Sequence, residues 1–272
     1  MLQNDNNNSK LIFIHANGFP PNAYESLFKN INTIFSTENY LLRPLWDSKE
    51  QPSDFKNWNL FQKDFTGYLE SKNKDRIIGL GHSVGGNIIL RTALSKPSLF
   101  KKIVLLDPTL FVPKIIYLWK LALFFNVQEK FHPWISATLN RKMSYENYEA
   151  IFESYRKKNV FSKIDDANLK IYIKSITKLH QNKLHITYAK DWEYQIYKTG
   201  LLSDMYIWKN IKNLKLPCLI IRAESSNAFL DSSQKKIEQL NPNIQFKTLK
   251  NTTHLFPLEK PSETYQLIKK FL

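Results

Sequence analysis

The run Arg76-Ile77-Ile78-Gly79-Leu80-Gly81-His82-Ser83-Val84-Gly85-Gly86 decides the fold. Its first half is a short apolar run, as in a strand buried on both faces of a parallel sheet. Beyond it, Val84 to about Ser95 reads as an apolar helix stopped before Pro97. Four of the chain's seven glycines (Gly79, Gly81, Gly85 and Gly86) fall within these few residues. A serine between two glycines at a strand-to-helix turn can hold the strained backbone that presents its hydroxyl above a sheet. Glycine at 81 and 85 removes Cβ atoms that would collide with its neighbours, and Gly86 eases the approach of helix to strand. The plain alternative is a glycine-rich turn with an incidental serine.

Outward from this turn the pattern alternates. Lys10–His15 reads as a buried strand, Ala23–Phe35 as a helix, Tyr40–Leu45 as a strand and Asp54–Ser71 as a helix. Lys102–Leu106 is a further strand, ending in Asp107-Pro108. Such alternation predicts an α/β protein with a mostly parallel, doubly wound sheet. From about Leu110 to Lys209 the pattern turns helical and aromatic, with no convincing strand. Strand and helix then resume: strand Leu216–Arg222, helix Ser232–Leu240, strand Ile244–Leu249, and a closing helix from Pro261. The reading is a core of residues 10–109 and 210–272, a helical cap over 110–209 inserted after the strand ending at Asp107, and a disordered tail over 1–9.

The formal net charge is +15, from 39 basic and 24 acidic residues. The lysines are scattered and no nucleic-acid-binding motif surrounds them, so nucleic acid is not an expected partner. Cys218 is the lone cysteine, placed in an apolar run as a buried strand residue; it allows no internal disulfide or cysteine-based metal cluster. The polar N-terminus has no apolar signal core. The longest apolar stretch, Phe111–Val127, is interrupted by Lys114 and Lys120 and falls short of a bilayer span. A cytoplasmic location is the default; contact of that stretch with a membrane surface is the minority alternative.

A serine hydroxyl needs a positioned base. Of six histidines, His82 adjoins Ser83 but points away, His15 belongs to the first loop, and His132, His180 and His185 fall in the cap. His254, on the loop past the last strand, is where a base can reach over the sheet edge. The base needs an acid to fix its tautomer. Asp107, Glu224 and Asp231 all satisfy the order Ser…acid…His; strand-end placement favours Asp107, with Glu224 as the alternative. Two backbone N–H groups must receive an oxyanion. Val84, at a helix N-terminus, supplies one, and Phe19, beside Gly18, is the expected second.

Taken together, His15-Ala-Asn-Gly-Phe-Pro20, Gly81-His-Ser-Val-Gly-Gly86, Leu105-Leu-Asp-Pro108 and His254-Leu-Phe-Pro-Leu-Glu-Lys-Pro261 resemble the α/β-hydrolase superfamily, in its branch of capped, esterase-like enzymes. The first loop departs from the family's His-Gly pattern by carrying Ala16-Asn17 before Gly18. Some esterase-like members place the acid after the strand following the elbow helix, which supports Asp107. Serine at 83 argues against the dehalogenase and epoxide-hydrolase members, which use aspartate there. The resemblance implies an ester or thioester hydrolase with a Ser83–His254–Asp107 triad and neither a metal nor an organic cofactor. Acyl transfer, amide cleavage, carbon–carbon hydrolysis and non-catalytic ligand binding are the alternatives. Tyr117, Trp119, Phe124, Phe125, Phe131, Trp134, Tyr188, Trp192 and Tyr194 are expected to line an apolar pocket for an acyl or aromatic substrate, or else to hold the cap on the sheet.

Overall fold

The computed structural model describes residues 10–46, 52–72 and 76–272. The stretch 1–9, expected as a tail, lies outside the described residues. Four strands open the fold: β1 (Leu11–Ile14), β2 (Thr37–Tyr40), β3 (Ile77–His82) and β4 (Phe100–Leu106). Between them run α1 (Glu25–Ile31), α2 (Asn59–Ser71) and α3 (Val84–Ser95). After a long insertion come β8 (Cys218–Ser225), α11 (Asp231–Leu240), β9 (Gln245–Thr253), α12 (Phe256–Glu259) and α13 (Pro261–Phe271). The six core strands form one parallel sheet in the order β2-β1-β3-β4-β8-β9.

Alternate residues of each strand enter different cores, because successive side chains point to opposite faces. Ile12, Ile14, Ile103, Leu105 and Ile220 pack with α2 and α3 through Phe61, Phe65 and Ile88. Leu11, Phe13, Val104, Leu106 and Ile221 pack on the other face with Leu27 of α1 and Ile268 of α13. That double burial is why these strands read as unbroken apolar runs. The strand order reverses at β1: the chain leaves it for β2 on one side and crosses to β3 on the other. Loops leaving β1 and β3 therefore diverge, opening a crevice at their C-terminal ends. The His15–Pro20 loop and Ser83 lie there.

The second strand departs from its expected place over 40–45. It ends at Tyr40, and Arg43–Leu45 forms a 3-10 turn. Leu42 N–H turns to His15 Nε2 at 3.2 Å, and Pro44 has no N–H to offer a ladder.

The insertion carries α4 (Pro113–Phe124), α5 (Gln128–Phe131), α6 (Pro133–Leu139), α7 (Tyr148–Arg156), α8 (Asp166–Ile176), α9 (Lys190–Thr199) and α10 (Met205–Asn210). It is not purely helical: β5 (Ser144–Tyr145), β6 (Thr177–His180) and β7 (Lys183–Ile186) form a small antiparallel sheet. Its hairpin turns at Gln181-Asn182, both at positive φ, the geometry of a two-residue turn that suits twisted strands. A buried Arg91–Asp204 ion pair, 2.6 Å, joins α3 to the end of the insertion. Among the described residues no helix is long and apolar enough to cross a membrane.

Candidate active site

Ser83 occupies φ 57°, ψ −119°, a conformation strained for a residue with a Cβ. Its surroundings enforce it. Ser83 N–H donates to Leu106 O at 3.0 Å, and Ser83 O accepts from Asn87 N–H and Thr109 N–H. A Cβ on Gly85 would lie 2.1 Å from Ile14 O, and one on Gly81 would lie 2.6 Å from the Gly85 carbonyl. The glycines are thus required by backbone-to-backbone packing.

His254 follows β9. Its Nε2 is 3.0 Å from Ser83 Oγ and its Nδ1 2.7 Å from Asp107 Oδ2. Asp107 is fully buried, and it accepts further hydrogen bonds from Ala223 N–H at 3.0 Å and the Ser226 hydroxyl at 2.6 Å. With the carboxylate accepting at Nδ1, the ring carries its proton there and turns a bare Nε2 to the serine. The structure brings Ser83, His254 and Asp107 into one hydrogen-bonded chain. Glu224 stays outside it: its carboxylate accepts from Asn251 N–H at 2.8 Å and pairs with Lys250, contacts that lower its pKa. The stretch after β8 supplies Ser226, a donor to Asp107, instead of a second acid.

The first loop corrects one assignment. Phe19 N–H, expected to face an oxyanion, donates to Ala16 O at 3.1 Å and closes a turn through Gly18 at φ 75°. Asn17 N–H, by contrast, has no hydrogen-bond partner among the described residues, and neither has Val84 N–H. Asn17 and Val84 line the same small pocket as Ser83. The Asn17 side chain is pinned from the insertion, donating to Glu193 O at 3.0 Å and accepting from the Tyr188 hydroxyl.

His82 Nε2–H donates to His254 O, and its Nδ1 accepts from the Tyr24 hydroxyl at 2.7 Å. Tyr24 in turn accepts from Ala16 N–H. Burial holds the His82 pKa well below its ordinary value, so the ring stays neutral and serves as one donor and one acceptor.

Residues 47–261 match the family described as serine aminopeptidase, S33. The chain belongs to that family and is an α/β-hydrolase. Over 235 residues this hydrolase is 24% identical to the uncharacterized hydrolase YugF of Bacillus subtilis (strain 168), covering 85% of this chain and 78% of that one. The solved structure of E-2-(acetamidomethylene)succinate hydrolase matches with a TM-score of 0.79 at 18% identity, covering 97% of this chain and 91% of that one. The thioesterase domain from the curacin biosynthetic pathway matches at 0.72 and 13% identity, covering 96% and 90%. At such identities the structural likeness speaks for the fold alone.

Two neighbouring chambers meet at the hydrolase's His254. One, of 80 Å³, lies against Ser83 and is walled by Trp58, Thr109, His132, Ile196 and Leu201. The other, of 480 Å³, extends under α6 and α7. Phe19, Trp134, Tyr197, Asn227 and His254 line both. Of the nine aromatic residues expected to line an apolar pocket, Trp134 alone lines these two chambers, while Trp119, Phe125 and Phe131 line a separate apolar hollow beside α4. Tyr117 and Phe124 of α4, Phe125 just after it and Phe131 at the end of α5 are exposed. Sequence reasoning missed Thr109, whose hydroxyl is 3.1 Å from Ser83 Oγ, as well as Tyr197 and Asn17. His132, read as a surface or cap residue, lies in the insertion between α5 and α6, where it walls the small chamber and burial lowers its pKa to about 4. No group of three metal-ligating side chains lies among the described residues.

Proposed function

We propose that this hydrolase cleaves a carboxylic ester or thioester through an acyl-enzyme on Ser83. The observation that carries the reading is the unbroken hydrogen-bonded chain Ser83–His254–Asp107 beside two unpartnered N–H groups. His254 Nε2 takes the Ser83 proton as Oγ bonds to the substrate carbonyl carbon. The carbonyl π pair moves to oxygen, where Val84 N–H and Asn17 N–H receive the negative charge. Asp107 stabilises the imidazolium so formed. The intermediate then collapses: the bond to the leaving oxygen or sulfur breaks, and that atom takes the proton from Nε2. Water, deprotonated by the same nitrogen, attacks the acyl group and releases the acid and free Ser83. The insertion acts as the cap, its Trp134, Ile196 and Tyr197 excluding solvent from the small chamber.

The family's name carries an aminopeptidase activity, and the chamber chemistry speaks against it here. A substrate's free ammonium group needs an unpaired carboxylate in a buried site. The carboxylate lining the chambers is Glu193, and it is engaged by Arg141 at 2.5 Å and Thr138 at 3.0 Å. An ester or thioester asks for no such group.

The test is hydrolysis of 4-nitrophenyl and thiophenyl esters by wild type, Ser83→Ala and His254→Ala. Turnover lost in both variants supports the reading. Turnover that survives in Ser83→Ala overturns it.

A further inference from the structure

The larger chamber holds one cation that has no ion-pair partner among the described residues. Besides His254, its charged side chains are Arg141, Lys158 and Glu193. Arg141 and Glu193 satisfy each other, with side chains only 10% and 8% exposed. Lys158 stands on the turn after α7, with its N–H on Tyr155 O at 3.0 Å and its ammonium 3.8 Å above the centre of the Tyr155 ring. Among the described residues no carboxylate lies within ion-pair distance of that ammonium. Burial lowers its pKa, and the nearby Arg141 charge adds to the effect while Glu193 opposes it. Arg141 Nε is itself buried without a hydrogen-bond partner. A half-buried cation beside a second cation is unfavourable until an anion joins it.

We propose that the larger chamber binds a carboxylate carried by the substrate away from the scissile carbonyl, and that Lys158 is the residue that pairs with it. The ligand is a monoanion. The three fixed charges sum to a single positive charge, and Glu193 would repel a second negative one on the substrate. The rest of the wall, with Phe161, Val160 and Trp134, suits an apolar spacer between the carboxylate and the ester. This substrate class deepens the reading of Ser83 as nucleophile and rests on it.

Two pairs of esters test the proposal and locate the charge. Mono-4-nitrophenyl adipate and its methyl ester place the carboxylate on the acyl side; 4-acetoxybenzoate and its methyl ester place it on the leaving side. In one pair, wild type favours the carboxylate over the neutral ester in kcat/KM. Lys158→Gln shrinks that ratio by about ten- to a hundredfold, the range of a hydrogen bond to a charged group, and Lys158→Arg restores it. Binding of monomethyl adipate to Ser83→Ala protein, followed by calorimetry, weakens by a similar factor when Lys158→Gln is added. A ratio near one in both pairs, or one that Lys158→Gln leaves unchanged, overturns the proposal. Lys158-dependent binding without cleavage of any ester would leave the anion site standing and remove the acyl-enzyme reading instead.

Discussion

His82 Nε2–H donates to the backbone carbonyl of His254 at 2.9 Å, so the residue before Ser83 holds the loop that carries His254. The same ring reaches Tyr24, which receives Ala16 N–H from the first loop. One neutral histidine thereby ties the His254 loop, the elbow and the first loop together.

Tyr24→Phe should leave His82 Nδ1 and Ala16 N–H without partners in a buried site. The expected loss of stability is about 1–3 kcal/mol, read from urea unfolding. The kcat for ester hydrolysis should fall with little change in KM, since the hydroxyl touches no chamber. Unchanged stability would show that the network is not formed.

Asp107 and Glu224 should separate cleanly. Asp107→Asn keeps the shape but presents an amide to His254 Nδ1, favouring the wrong tautomer; kcat should fall by roughly 10³–10⁴. Glu224→Gln, on an exposed carboxylate bound to Lys250 and Asn251, should leave kcat within about twofold, given that exposed pairs contribute little. The reverse order of effects would move the acid to Glu224.

Gly85→Ala tests the packing of the elbow. The added methyl would lie 2.1 Å from Ile14 O, and neither backbone has a flexible end that can yield. A destabilisation of about 3 kcal/mol or more is expected, measured by thermal and urea unfolding. A stable variant would contradict the close approach of α3 to β1.

How much of this was readable in the sequence depended on whether a residue's role is carried by its type or by its surroundings. The parallel core was legible because strands buried on both faces must be apolar throughout, as Leu11–Ile14 is. The elbow was legible because glycine alone fits at positions 81 and 85. The hairpin at Gln181-Asn182 was missed: its strands are short and lysine-bearing, and its turn lacks glycine, leaving Asn182 at positive φ as the one signal. Phe19 was expected because it adjoins Gly18, and a backbone donor such as Asn17 leaves no mark on side-chain identity. The two residues between His15 and Gly18, Ala16 and Asn17, were the available clue. The aromatic residues of α4 were placed inward on composition alone, and helical spacing could not say which apolar face met the core.

Acid should weaken the fold through its buried histidines. Burial lowers the His15 pKa from 6.5 to about 4, and His82 is depressed by the same cause. Between those values the unfolded chain binds a proton that the folded one refuses, so stability rises with pH across this window and is lost as pH falls from 6.5 toward 4. The contribution of His15 is at most roughly 3 kcal/mol. Urea unfolding at pH 7, 6 and 5 should show the decline; a flat profile would indicate that His15 is solvated or protonated in the folded state.

The central claim is that Ser83 is the nucleophile, and covalent labelling reads it most directly. After treatment with a fluorophosphonate, peptide mass analysis should find one phosphonyl adduct, on the peptide bearing Ser83. The adduct should vanish in Ser83→Ala and form far more slowly in His254→Ala. An unlabelled Ser83 in folded protein, or an adduct that persists in Ser83→Ala, would contradict the account.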